Sequence, residues 1–325
     1  MTDLSYPSSR CAIGLDVGGT KIAAGIVLTS GNYLHRQIIP TRPERGGTAV
    51  LTDVTTLAEE LMGLAQSAGL SVQGIGVGVA ELVDLDGNVT SSNLIEWQDI
   101  SVQDYLARLA PTIVESDVRA SALAEALYGA GQDFDIFTYI SVGTGISYCL
   151  MMDGRPYTGA RGNALILASS PLTFKCDHCG TVSAPILEEE AGGPGLVRRY
   201  NEKLMLDNTY NRKRLLSKAG EDVLAAVKAG DPLAVEVVSS AGEMLGVTVG
   251  WLVNVLDPEA VVVGGGLGST EGLYWDSFMT STRCHIWSDT NRDLPILHTS
   301  LGPDAGFVGA AATVFQRRLN KAETK

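Results

Sequence analysis

Apolar residues run almost unbroken from Ala12 to Leu28, interrupted only by Asp16 and by Gly18-Gly19-Thr20-Lys21. An apolar run split by two glycines predicts a β-hairpin over residues 12–28. Residues 34–39 predict a third strand, ending at Pro40 and Pro43. Leu51, Val54, Leu57, Leu61 and Leu64 fall at helical spacing within 50–66. Strands are expected at 72–79 and 112–114, with a helix closing at 106–109 before Pro111 and an Ala-rich helix at 120–128. The strand Tyr139–Val142 meets Gly143-Thr144-Gly145, and Ser147–Met152 forms a second hairpin arm that turns at Asp153-Gly154. Much of the opening order therefore recurs from 138 onward. That recurrence predicts two related α/β halves with a cleft between them. Helices follow at 187–205, 216–228 and 232–255. A buried-type strand, Ala260–Val263, leads into Gly264-Gly265-Gly266; a strand near 295–299 and a helix at 305–318 close the chain, with fraying expected from Asn320.

The length of 325 residues favours two domains. With 45% hydrophobic and 19% charged residues the chain has the composition of a globular protein with a large core. A net charge of −13 argues against nucleic acid or an anionic membrane as the main partner. An anionic substrate would then need local cations or a metal. No uninterrupted apolar run is long enough to span a bilayer, and Met1–Arg10 lacks a signal-peptide apolar region, so a cytoplasmic protein is expected. Five cysteines, an odd number in a chain this size, do not suggest a disulfide framework.

The first hairpin also carries candidate chemistry. Gly18 and Gly19 permit a tight turn whose N–H groups can face an anion, and Thr20 and Lys21 add a hydroxyl and a cation. Asp16 would hold a hydrated divalent metal there, because a carboxylate repels phosphate unless a cation lies between. An ordinary Gly-Gly hairpin with an incidental Asp satisfies the same residues. The three glycine turns after strands, at 18–19, 143–145 and 264–266, suit a cleft that wraps a nucleotide, although each singly is commonplace. Asp117 follows a strand and precedes a helix, where an acid serves as a cap or as a general base taking a proton from a substrate hydroxyl. Cys176-Asp177-His178-Cys179 pairs two candidate zinc ligands or two free thiols.

Four segments together resemble the ROK family of repressors and sugar kinases, within the actin-like ATPase fold. They are Gly14-Leu15-Asp16-Val17-Gly18-Gly19-Thr20-Lys21, Gly143-Thr144-Gly145-Ile146, Asp257-Pro258 with Val261 to Gly266, and Ala305-Gly306 with Gly309-Ala310-Ala311. Asn93-Leu94 with Trp97 resembles a further family segment. The resemblance implies two actin-like (ribonuclease H-like) α/β domains flanking a cleft: a small domain, 1–117, completed by a C-terminal helix, 305–325, and a large domain, 118–304. It places ATP phosphates at Gly18, Gly19, Thr20, Lys21, Gly143, Thr144 and Gly145, adenosine by Gly264, Gly265 and Gly266, and magnesium by Asp16 through water. Asp117 becomes the base, and a homodimer is implied.

The substrate positions depart from the family. Ser116-Asp117-Val118-Arg119 stands for Asn-Asp-Ala-Asn, and Ala80-Glu81 for Pro-Gly. After Gly162-Asn163-Ala164 the family continues Gly-Glu-Ile-Gly-His; here Ile166 and Ser169 replace the sugar-gripping Glu and the His. Glu188 is retained, whereas Ile186 replaces a zinc cysteine. With only Cys176 and Cys179 left, the zinc site is incomplete. An isoleucine offers no acceptor to sugar hydroxyls, so the expected substrate is an amino sugar or cyclitol rather than glucose, with Glu81 supplying a compensating carboxylate and Asn93, Ser116, Arg119 and Gly162 completing the substrate set. Two readings stay open: an ATP- and magnesium-dependent kinase, and a non-catalytic sugar-binding sensor on the same scaffold. A DNA-binding repressor is not expected, because the first strand begins by Ala12.

Overall fold

The structure, a computed structural model, describes residues 10–97, 99–206 and 216–323. The polar lead up to residue 9 lies outside that set. The predicted hairpin is β1 (Arg10–Val17) and β2 (Lys21–Leu28), followed by β3 (Tyr33–Pro40). Next come α1 (Gly47–Ser67), β4 (Ser71–Val79), α2 (Val102–Leu106), β5 (Thr112–Ser116) and α3 (Asp117–Tyr128). The second hairpin is β6 (Ile136–Val142) and β7 (Ile146–Met152), extended by β8 (Arg155–Pro156). A small ribbon of β9 (Phe174–Lys175) and β10 (Val182–Ser183) precedes α4 (Leu187–Ala191), α5 (Gly193–Leu206), α6 (Gly220–Lys228) and α7 (Pro232–Leu256). The chain ends with β11 (Ala260–Gly264), α8 (Leu273–His285), α9 (Asp289–Arg292), β12 (Ile296–His298) and α10 (Ala305–Glu323). α10 is helical through Asn320, where fraying is expected; residues 324 and 325 lie outside the described set.

The described residues form two compact units, the first within 1–135, 149–164 and 299–325, the second within 136–148 and 165–298. In the first unit the sheet order is β3-β2-β1-β4-β5. β1 pairs antiparallel with β2 and parallel with β4, and β4 pairs parallel with β5. The carboxyl ends of β1, β4 and β5 therefore share one edge, the position at which open α/β sheets present ligand-binding groups. One face packs on α1, whose Val50, Leu51, Val54, Leu57, Ala58 and Leu61 are buried at the expected helical spacing. α10 lies against β1, β2 and β4 and against α3. It approaches so closely that a Cβ on Gly14 or Gly76 would collide with the carbonyl oxygens of Phe307 or Ala310.

This grouping places residues 118–135, 149–164 and 299–304 with the first unit. α3 packs on α10, and the buried Glu125 near its end accepts the amides of Ala130, Ser300 and Leu301 at 2.8, 3.1 and 3.0 Å. A carboxylate satisfied by main chain some 175 residues away ties α3 and the 299–304 segment into the first unit.

The second sheet has the order β12-β11-β6-β7-β8, with β6, β11 and β12 parallel. α7 is capped by Asp231, which accepts from Leu233 and Ala234 at 2.9 and 3.3 Å, with Pro232 opening its first turn. It is long and apolar enough to cross a membrane by composition, but half of its apolar window is buried, with Val237, Val238, Ala241, Leu245, Val249 and Val253 in the second unit's core. That burial marks it as a core helix.

Candidate functional site

The first unit gathers its acids where three neighbouring parallel strands end. Asp16 closes β1 opposite Gly78 of β4, and Asp117 stands one residue after β5. Gly78 has no side chain, and a Cβ there would sit 3.5 Å from the Asp117 Cα. Gly306 in the first turn of α10 plays the same part on the other side, since any Cβ would strike the Asp16 carboxylate. A helix start beside an acid supplies favourable partial charge. Burial pushes the Asp16 carboxyl up to about 7; the Asp117 charge adds to this and the Lys21 ammonium opposes it. Burial likewise pushes Asp117 up to about 6, against the Val118 N–H, which its Oδ1 accepts at 2.7 Å. Glu81 raises Asp117 further, and Arg119 lowers it. Ser116 is the residue before α3, yet its side chain makes no capping bond. Oxygen donors without a closed cage fit a magnesium ion that keeps its waters, and Asp16 is the residue that would hold it.

The hairpin turn beside these acids is braced. Gly18 N–H donates to the Lys21 carbonyl at 3.1 Å, and the buried Thr41 hydroxyl donates to the Gly18 carbonyl at 2.6 Å. Leu94 covers Gly19, its Cδ1 lying 3.2 Å from where a Cβ would stand. Thr20 and Lys21 are exposed. Thr41, Leu94 and Gly306 are not among the site residues expected from the sequence; Thr41 carries no local pattern, whereas Leu94 and Gly306 lie within segments that resemble the family.

Two substrate candidates take other positions than expected. The buried Glu81 carboxylate accepts the Asn93 amide at 3.0 Å, Leu94 at 2.6 Å, Ile95 at 3.0 Å, and the Ser91 hydroxyl. Its lone pairs are taken up by the protein's own loop, so it does not offer the expected compensating carboxylate to a sugar. The buried Arg119 donates to Glu115 at 2.5 Å, to the Gly162 carbonyl at 2.5 Å and to the Val83 carbonyl at 2.8 Å. It fastens two loops to α3, and Gly162 is buried against Val83. Asn93 is exposed, with no side-chain hydrogen bond among the described residues.

In the second unit the structure brings both glycine turns together. Gly143 follows β6 and Gly265 follows the adjacent β11. A Cβ on Gly143 would stand 3.8 Å from the Gly266 amide, and the amides of Leu267 and Gly268 bond the Val142 carbonyl at 2.9 and 3.0 Å. The Gly143 carbonyl accepts the Gly193 amide at 2.8 Å, seating the start of α5 on the turn. Glu188 lies beside Gly145, with Oε2 3.0 Å from where a Cβ would be, and its amide donates to the Ala168 carbonyl at 3.2 Å. Ile166 and Ser169 are exposed. Leu165, where the family has glycine, adopts φ +62°, a left-handed conformation that costs a leucine strain.

Cys176 and Cys179 sit exposed on the β9–β10 ribbon. The Cys179 thiol donates to the Thr181 hydroxyl at 3.1 Å. Hydrogen bonding with Thr181 and Cys176 holds the Cys179 thiol low, at about 7. No cluster of three or more His, Cys, Asp or Glu side chains suited to a metal occurs among the described residues.

Acids at the ends of parallel strands mark the first unit and paired glycine turns mark the second, each built on its own five-stranded sheet of an α/β protein. The ROK family model matches residues 12–317, and the chain belongs to that family. A glucokinase of Halalkalibacterium halodurans is 26% identical, covering 95% of this chain and 96% of that protein. An N-acetylgalactosamine kinase of a Shewanella species is 28% identical over 92% of this chain and 94% of that protein. The solved ROK family glucokinase from Streptomyces griseus, in complex with glucose and AMPPNP, aligns with a TM-score of 0.80 at 28% identity, covering 94% of this chain and 99% of that one. The actin-like fold expected from the sequence agrees with these relatives.

Proposed function

We propose that the chain is an ATP-dependent kinase that phosphorylates a hydroxyl of a sugar or sugar-like small molecule, with Asp117 as general base. The observation that carries this reading is the retained, half-buried pair Asp16 and Asp117 at the ends of β1 and β5, both carboxyls pushed up by desolvation. Asp117 would accept the proton of the attacking hydroxyl while its oxygen bonds the γ-phosphorus and the bond to ADP breaks. Gly18 to Lys21 and the turns at 143–145 and 264–266 would hold the nucleotide through main-chain N–H groups. A bound magnesium would neutralise phosphate charge beside Asp16.

The acceptor in this reading is an amino sugar or cyclitol in preference to glucose. Ile166 and Ser169 support it, since neither supplies the carboxylate or imidazole of the family pattern. The same two residues favour a second reading, a sugar-binding sensor without turnover. A coupled ADP-release screen over sugars, amino sugars and cyclitols separates them. ADP release above the ATP-only rate with an amino sugar or cyclitol supports the kinase; binding of a sugar without ADP release supports the sensor.

Zinc is expected below one equivalent per chain after dialysis against a mild chelator, because a closed structural site needs four ligands. Metal analysis checks this, and a stoichiometric content would defeat it, with His178 the first further ligand to replace. A homodimer and a cytoplasmic location belong to the same reading. The first is supported by exposed Trp251, Val255 and Trp287, the second by five free cysteines. Sedimentation mass tests the dimer.

A further inference from the structure

Glu81 stands where the family pattern has glycine, so its carboxylate is a property of this chain rather than of the family motif. Three consecutive main-chain amides, those of Asn93, Leu94 and Ile95, converge on it at 3.0, 2.6 and 3.0 Å. Consecutive N–H groups directed at one anion form a nest, a concave backbone shape that the anion stabilises. The Ser91 hydroxyl donates to the same carboxylate and accepts the Leu82 amide at 2.8 Å, so the near end of the loop is tied too. At the far end the buried Trp97 indole donates to the Gly47 carbonyl at 2.9 Å. Held in this way, the loop lays Leu94 over Gly19 of the hairpin turn and leaves the Asn93 side chain exposed and without a hydrogen-bonding partner among the described residues.

We infer that Glu81 is a positioning residue for the acceptor: its carboxylate shapes residues 91–95 so that Asn93 meets the substrate's hydroxyl groups. The inference rests on the kinase reading above. The acceptor site is thus built from a buried anion folded into the protein, and the sugar meets the loop rather than the anion. Glutamine at this position keeps the size but offers one acceptor oxygen and turns an NH2 toward amide donors, so the nest opens.

The test compares wild type, Glu81→Gln, Asn93→Ala and the double variant, with glucose, N-acetylgalactosamine and myo-inositol as acceptor probes. Because the Glu81 charge also faces Asp117, the readout is KM for the acceptor rather than kcat. Glu81→Gln is expected to speed hydrogen exchange at amides 93–95 and to raise acceptor KM about tenfold, as a displaced binding group does. KM for MgATP should move less than about threefold. The double variant should resemble Asn93→Ala alone, since residues acting through one contact are not additive. Melting curves establish that each variant is folded, and Glu81→Asp replaces Glu81→Gln if the latter is not. An unchanged acceptor KM despite faster exchange overturns the inference alone, as does full additivity in the double variant. Absence of turnover by wild type with all three probes overturns the inference together with the kinase reading.

Discussion

Asp117→Asn is expected to lower kcat by about 10²–10⁴-fold, the contribution typical of a positioned general base. The amide keeps the size of the side chain and an oxygen able to accept the Val118 N–H, now at 2.7 Å. It removes only the capacity to take a proton. MgATP affinity should therefore change little, which equilibrium binding checks. The pH profile supplies a second signature. A general base works ionised and the Asp117 carboxyl lies near 6, so under the proposed role wild-type kcat/KM should fall as pH drops below about 6. The residual rate of the variant should lack that limb. The groups that face Asp117 are Asp16, Glu81 and Arg119, with Lys21 acting on Asp16.

The same burial gives a stability result of opposite sign. Asp16 and Asp117 both sit above their unfolded values, so each favours the folded state at low pH. That contribution is lost as pH rises through about 6 and about 7. At pH 8 the ligand-free Asp117→Asn protein should then melt higher than wild type. A variant that is inactive yet more stable cannot owe its inactivity to misfolding. Undiminished turnover would instead reduce Asp117 to the first residue of a helix.

What the sequence revealed, and what it concealed, follows from the range of the interactions. The hairpin at 12–28 was legible because two glycines split an apolar run, a purely local signal. The start of α3 was placed at 120 and lies at 117, because Asp117-Val118-Arg119 does not continue the Ala-rich pattern that marks the helix. The orientation of Glu81 was not legible at all. A carboxylate near a substrate position looks the same in sequence whether it faces ligand or its own chain, and its donors lie 10 to 14 residues away. Arg119 is the same case, with partners 36 and 43 residues distant. The first unit also gains residues 149–164 and 299–304, which local periodicity cannot assign. Motif residues fared differently: the turns at 143–145 and 264–266 are neighbours because β6 and β11 are parallel and adjacent.

Glucose is expected to be a poor substrate, and Ile166→Glu is expected to raise kcat/KM for it by about 10- to 100-fold. A hydrogen bond to a charged acceptor contributes about 1.5–3 kcal/mol, and each 1.4 kcal/mol is about tenfold. The site tolerates the change, because Ile166 is 42% exposed and an added charge there stays in contact with water. Glu188 remains as the second carboxylate, its amide bonded to Ala168 in the same segment. The backbone sets the limit on the gain. Leu165 holds φ at +62°, and a leucine there restricts how the next side chain can be aimed. Leu165→Gly combined with Ile166→Glu restores both positions of the family pattern, and should exceed the single variant in kcat/KM for glucose while melting no lower. Ser169, standing for histidine, keeps both variants below a true glucokinase. The deciding measurement is the specificity constant for glucose beside those for N-acetylgalactosamine and myo-inositol, in wild type and in both variants. If wild type already phosphorylates glucose better than either of the others, Ile166 and Ser169 do not set specificity, and the altered acceptor must be abandoned while the kinase stands.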